Sequence, residues 1–131
     1  MTTISDQEVA AWLEEFASCV RRRDFDGGRL LFDEHATGFG TAASRYSSLD
    51  ALVTSQWERV WPRTEEFDFD GVEQQWLDEN LCAVAATWHS VGIEDDGPRS
   101  RSGRATLVLV RSERGLVAVH SHLSMEPGTA A

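Results

Sequence analysis

The chain has 131 residues, a length that fits one domain, and its 12 basic residues are all arginine, set against 22 acids for a net charge of −10. Without lysine, neither a Schiff-base enzyme nor a P-loop phosphate site is available. The acidic balance argues against a nucleic-acid backbone or an anionic membrane surface as partner and favours a soluble protein that meets a small molecule or another protein.

A domain of this size buries about two-thirds of the surface its unfolded chain exposes, enough for a core without metal or disulfide staples. Cys19 falls on an apolar helical stripe and Cys82 opens an Ala/Val run, as small buried hydrophobes do; two cysteines permit one disulfide but make no framework. The N-terminus has no positive region followed by an unbroken apolar run, and no stretch approaches the roughly 18 apolar residues of a membrane span, so the expected location is the cytoplasm.

Residues 5–23 read as an amphipathic helix, with Val9, Trp12, Leu13, Phe16, Cys19 and Val20 at three- and four-residue steps and Ser5 and Glu8 forming a capping box. Arg21, Arg22 and Arg23 close it where cations complement the helix dipole. A second short helix is expected over Gly27–Glu34, capped by Asp24 or Asp26 and packed as a hairpin on the first. Ala36–Ser47 is rich in small residues and reads as an irregular strand and turn. A third helix starts at Ser48 and runs to Trp61 before Pro62, with Trp57 and Trp61 on one face.

From Thr64 the pattern changes to period two: in Glu66-Phe67-Asp68-Phe69-Asp70 aromatics alternate with acids, a strand with one buried and one wet face. The seven acids between Glu65 and Glu79 fit that wet face and an Asp78-Glu79-Asn80 turn better than a cation site. Strands follow over Leu81–Ile93, Gly103–Arg111 and Leu116–Met125, joined by the polar loop 94–98 and a turn at 112–115. Helices first and a four-strand meander after them describe an α+β fold, an antiparallel sheet curling around the helices. The last two strands are apolar on both faces, which calls for a cover on each: helices on one side, a second subunit on the other.

The run Gly103–Arg111, the turn, and Val117-Ala118-Val119-His120-Ser121-His122-Leu123-Ser124 with Pro127 resemble the C-terminal hairpin of SnoaL-like domains in the nuclear transport factor 2-like superfamily. The long first helix, the Arg23-Asp24-Phe25-Asp26 step and Phe39-Gly40 are similar to the same family, so the likeness spans about residues 5–127 of a 1–131 domain. It implies a cone-shaped, strongly bent antiparallel sheet wrapped around N-terminal helices, a deep apolar pocket, and a homodimer formed through the outer sheet face. Leu116 stands where members commonly carry tryptophan. Phe16 and Gly40 occupy the positions of the steroid isomerase relatives' tyrosine and carboxylate, so that isomerase chemistry is not implied. The Arg/Asp arrangement of limonene-epoxide-hydrolase relatives is not recognisable.

Within such a pocket, Trp57, Trp61, Trp88, Phe16 and Phe39 are the expected aromatic walls, although Trp57 and Trp61 fit a plain core equally well. His120 and His122, two apart on a strand, leave one face about 7 Å apart and are the candidate proton-transfer groups or polar ligand contacts. Arg104 would clamp a carboxylate if it shares that face, and register decides: a two-residue turn at Glu113-Arg114 sends Arg104 and Thr106 to the face opposite the histidines, and a one-residue change brings them together. Tyr46 is the only tyrosine, either a hydroxyl for a ligand or a loop anchor. No metal-ligand spacing joins His35 or His89 to the pair, and no cofactor is expected. The functional expectation is a domain binding a small apolar molecule, catalysing isomerisation, dehydration or cyclisation if an imidazole lines the cavity; the alternative is a non-catalytic assembly module.

Overall fold

The computed structural model describes residues 3–128, with side chains described except at 75–77, so the two ends of the expected 1–131 domain lie outside the described residues. Helix α1, Asp6–Arg22, starts where expected: Ser5 Oγ accepts the Glu8 amide at 3.1 Å and the Glu8 carboxylate accepts the Ser5 amide at 3.0 Å. It ends at Arg23 in the left-handed region, φ 56°. Its stripe from Val9 to Val20 is buried, with Cys19 fully enclosed. Helix α2 covers only Phe25–Arg29, capped by Asp24, whose carboxylate accepts the Gly27 amide at 2.9 Å.

The second helix therefore stops short of the expected Glu34. Phe32–Phe39 is strand β1, which pairs parallel to the last strand with Phe32 beside Ala118 and Phe39 beside His122. Two glycines weaken helix propagation, while strand pairing buries Phe32 and Ala36. After the loop, Ser48 caps a helical stretch that changes pitch: α3 at Leu49–Leu52, a π turn at Val53–Trp57, α4 at Glu58–Val60 and a 3₁₀ turn at Trp61–Arg63.

Strands β2 (Thr64–Leu77), β3 (Leu81–Glu94), β4 (Gly97–Ser112) and β5 (Gly115–Met125) form the expected antiparallel meander, and β1 extends it to a five-stranded sheet of order β1-β5-β4-β3-β2. The strand begins before the expected Gly103: residues 97–102, of which 97–98 were expected in the polar loop, continue the β3/β4 ladder out to Glu94 opposite Gly97. Backbone pairing with β3 carries these polar residues into the strand. The fold is the expected α+β curled sheet, its inner face closed by α1 and the Trp57/Trp61 segment. No helix among the described residues is long and apolar enough to cross a membrane.

One irregularity decides which side chains the sheet turns inward. The β4/β5 turn is the two-residue one, Ser112 opposite Gly115, and the ladder holds as far as Leu109 opposite Ala118. Beyond it Val108 faces His120, so Val119 is an extra residue, a β-bulge. From there His120, His122 and Ser124 share a face with Val108, Thr106 and Arg104, while Ser121 and Leu123 share the inner face with Leu107 and Ala105.

Candidate functional site

A cavity of about 440 Å³ opens between the inner sheet face and the helical segment. Its apolar wall is built around Phe16, one turn before the buried Cys19 on α1. The Phe16 ring lies 6.0 Å from Trp57, 5.9 Å from Trp61 and 6.4 Å edge-on from Phe67. Trp57 and Trp61 stack at 4.4 Å and 18°, as four-residue spacing on one helical face requires. Behind them Gly28 permits the close approach of α2: a Cβ there would lie 2.9 Å from each indole. Trp88 comes from β3, packs 5.9 Å from Phe67 and donates its indole N–H to the Arg104 carbonyl at 3.2 Å.

The cavity's polar groups come from three places. Gln56, buried in the π turn, accepts the Ala42 and Ala43 amides on Oε1 at 2.6 and 2.8 Å and donates to Thr41 Oγ1 at 2.8 Å, fixing the loop that forms one lip. Arg101 from β4, also in the lining, donates to Glu94 at 2.9 Å and lies against Gly92, where a Cβ would clash with its Nε at 2.2 Å. Arg59 and Arg63 complete the lining on the helical side.

Of the residues expected at the site, Phe16, Trp57, Trp61 and Trp88 line the cavity, and Phe39 stands at its edge with its ring 5.2 Å from His122. His120, His122 and Arg104 do not line it: the bulge at Val119 turns the two histidines to the outer face, to which Arg104 already points by the alternation of β4, and there His120 Nδ1 meets Thr37 Oγ1 at 3.2 Å and Arg104 donates to Ser124 at 3.2 Å. The expectation that the histidines supply the pocket's polar groups is therefore corrected, since no histidine is among the described lining residues. Arg104 does share the histidines' face, through the bulge and not through a longer turn.

Tyr46 is a loop anchor. Its hydroxyl is buried against Ser121, and burial raises it above the ordinary tyrosine value despite that hydrogen bond. On the outer face, Asp70 accepts from Thr87 and meets His89 Nδ1 at 2.8 Å; the Thr87 hydroxyl first and the His89 ring second hold its carboxyl below the usual range. Sequence reasoning missed Arg59, Arg63, Arg101, Glu94 and Gln56. The four-residue spacing of Arg59 and Arg63 was the available signal; Arg101 lay just before the expected start of the strand at Gly103. No three or more His, Cys, Asp or Glu side chains among the described residues are grouped to hold a metal.

In the comparisons, no curated protein sequence matches. Solved structures of the same shape include a Xanthomonas campestris protein named for the calcium/calmodulin-dependent protein kinase II association domain (TM-score 0.84, 14% identity, 95% of this chain and 90% of that one). A nuclear transport factor 2-like superfamily protein of Salmonella enterica aligns at TM-score 0.75 and 15% identity over 95% and 93% of the two chains. The CaMKII hub of S. rosetta aligns at 0.73 and 19% over 91% and 95%. Such identities speak to fold alone. The SnoaL-like domain family model matches residues 9–127, and the chain, with the fold it shares with those structures, belongs to the SnoaL-like domain family.

Proposed function

We propose that this SnoaL-like domain binds a small, largely apolar molecule in the aromatic cavity. The observation that carries the reading is the cavity itself: about 440 Å³, within the range of small-molecule sites, walled by Phe16, Trp57, Trp61, Phe67 and Trp88. The reading stops at binding. A proton-transfer enzyme needs an acid or base within reach of the ligand, and the one carboxylate among the lining residues, Glu94, is ion-paired to Arg99 and Arg101. The test is titration with the neutral fluorophore N-phenyl-1-naphthylamine. Wild type is expected to enhance its emission saturably at micromolar concentration, and Leu123→Trp, which fills the cavity from β5, to lose that enhancement with its far-ultraviolet dichroism unchanged. Equal enhancement by both proteins overturns the reading.

A second reading concerns self-assembly through the outer sheet face. It is supported by Phe39, 41% exposed and flanked by His120 and His122, and by the neighbours named as association or hub domains. Light scattering is expected to give twice the 14.6 kDa chain mass for wild type and a single chain for Phe39→Glu. A monomeric wild type rejects it.

A further inference from the structure

The charge of this protein is distributed against its average at one place. The chain carries 22 acids and 12 arginines, yet the described cavity lining holds Arg59, Arg63 and Arg101 against the single carboxylate of Glu94. That carboxylate is already occupied on both oxygens, by Arg99 Nε at 3.3 Å and Arg101 Nη2 at 2.9 Å. Most arginines elsewhere are likewise engaged: Arg21 with Glu14, Arg22 with Asp24, Arg29 with Asp50, Arg111 with Glu8, and Arg23 and Arg114 with backbone carbonyls. Among the described residues Arg59 and Arg63 have neither a hydrogen bond nor an ion pair. They sit four residues apart on the segment Glu58–Arg63, both are exposed, and both border the same cavity.

Two unpaired guanidinium groups beside a wall of indole rings make a site with an apolar interior and a cationic rim. A guanidinium presents paired N–H donors that match a carboxylate in one plane, and the lining leaves no acid free to compete. We infer that the cavity selects an amphipathic anion, an aromatic or alicyclic ring system bearing one carboxylate, whose ring lies against Trp57 and Trp61 and whose carboxylate is held by Arg59 and Arg63. The inference rests on the binding reading above and narrows it to a ligand class.

The experiment is displacement of N-phenyl-1-naphthylamine by 1-naphthoate and by 1-naphthamide, which share the ring and differ in charge. Wild type is expected to release the probe at a naphthoate concentration about tenfold below that of naphthamide, the scale of a charge-assisted contact at a partly solvated site. In the Arg59→Gln/Arg63→Gln double variant, with each competitor referred to that variant's own probe affinity, the ratio is expected to fall close to one. Arg45→Gln, which removes an unpartnered arginine outside the lining, is expected to keep the ratio. Equal displacement by the two competitors in wild type overturns the inference and leaves the cavity reading standing. A ratio that survives in the double variant, or falls equally in Arg45→Gln, also overturns it. Failure of the neutral probe to bind wild type removes both readings.

Discussion

His120 stands across the sheet from Val108 and not from Leu107, because Val119 occupies a place on β5 that has no partner on β4. Since the side-chain period of a strand is two, this one residue sets the orientation of everything from His120 to Met125. Deleting Val119 would force Ser121 and Leu123 outward and His120 and His122 inward. The deletion is expected to cost more than about 3 kcal/mol, the scale of a lost core side chain plus polar burial, and to be read as a collapse of the thermal transition.

Phe16 touches six other rings, those of Trp12, Phe32, Trp57, Trp61, Phe67 and Phe69, all within 6.4 Å. Truncation to alanine is expected to destabilise by about 3–5 kcal/mol in denaturant titration. Phe16→Leu, which retains most of the volume, should cost less than half of that. Equal losses would show that the ring cluster does not depend on this side chain.

Gly28→Ala sets two effects against each other. Alanine is the better helix former by about 1 kcal/mol, but its methyl group would lie 2.9 Å from both stacked indoles. Overpacking of this kind costs about 1–3 kcal/mol, so a lower melting temperature is expected, with a change in near-ultraviolet dichroism from the displaced tryptophans. A rise in melting temperature would contradict the packing described.

The Glu8 carboxyl lies below its ordinary value of 4.5, chiefly through the Arg111 hydrogen bond and then the Ser5 amide. Its contribution to stability is thus present above the unfolded value and lost as pH falls through the folded one. Glu8→Gln keeps an acceptor for the cap but not the charge. Its stability deficit is expected to be largest near neutrality, at most about 1 kcal/mol for so exposed a pair, and to shrink to nothing below the folded value. A deficit independent of pH would assign the whole effect to the cap.

Burial, and then the neighbouring Glu15 charge, push the Cys19 thiol up to about 11, and burial raises Cys82 as well. At pH 8 about one Cys19 in a thousand is thiolate, so Ellman's reagent is expected to find both cysteines silent in the native protein and reactive in guanidinium chloride. Rapid native labelling would contradict the packing of α1.

Features governed by a few consecutive residues were legible in the sequence. The Ser5/Glu8 box, the Ser48 cap and the Trp57/Trp61 face each follow from local chemistry, and the structure contains all three. What the sequence hid was set by partners distant along the chain. Phe32 is drawn out of a helix by β5, residues 97–102 are drawn into a strand by β3, and the bulge at Val119 leaves no compositional mark in a run of Val, Ala and His. The aromatic residues named from the sequence do border the cavity, and the face on which the two histidines stand was reversed by one inserted residue.

Gln56 joins two parts of the cavity that would otherwise move separately. Its amide grips residues 41–43, while its backbone belongs to the same π turn that carries Trp57. The threshold of the cavity and its aromatic panel are thereby hinged on one side chain. Were a guest to displace the indole, the threshold would be expected to follow, tying the size of molecule admitted to the winding of a single helical turn.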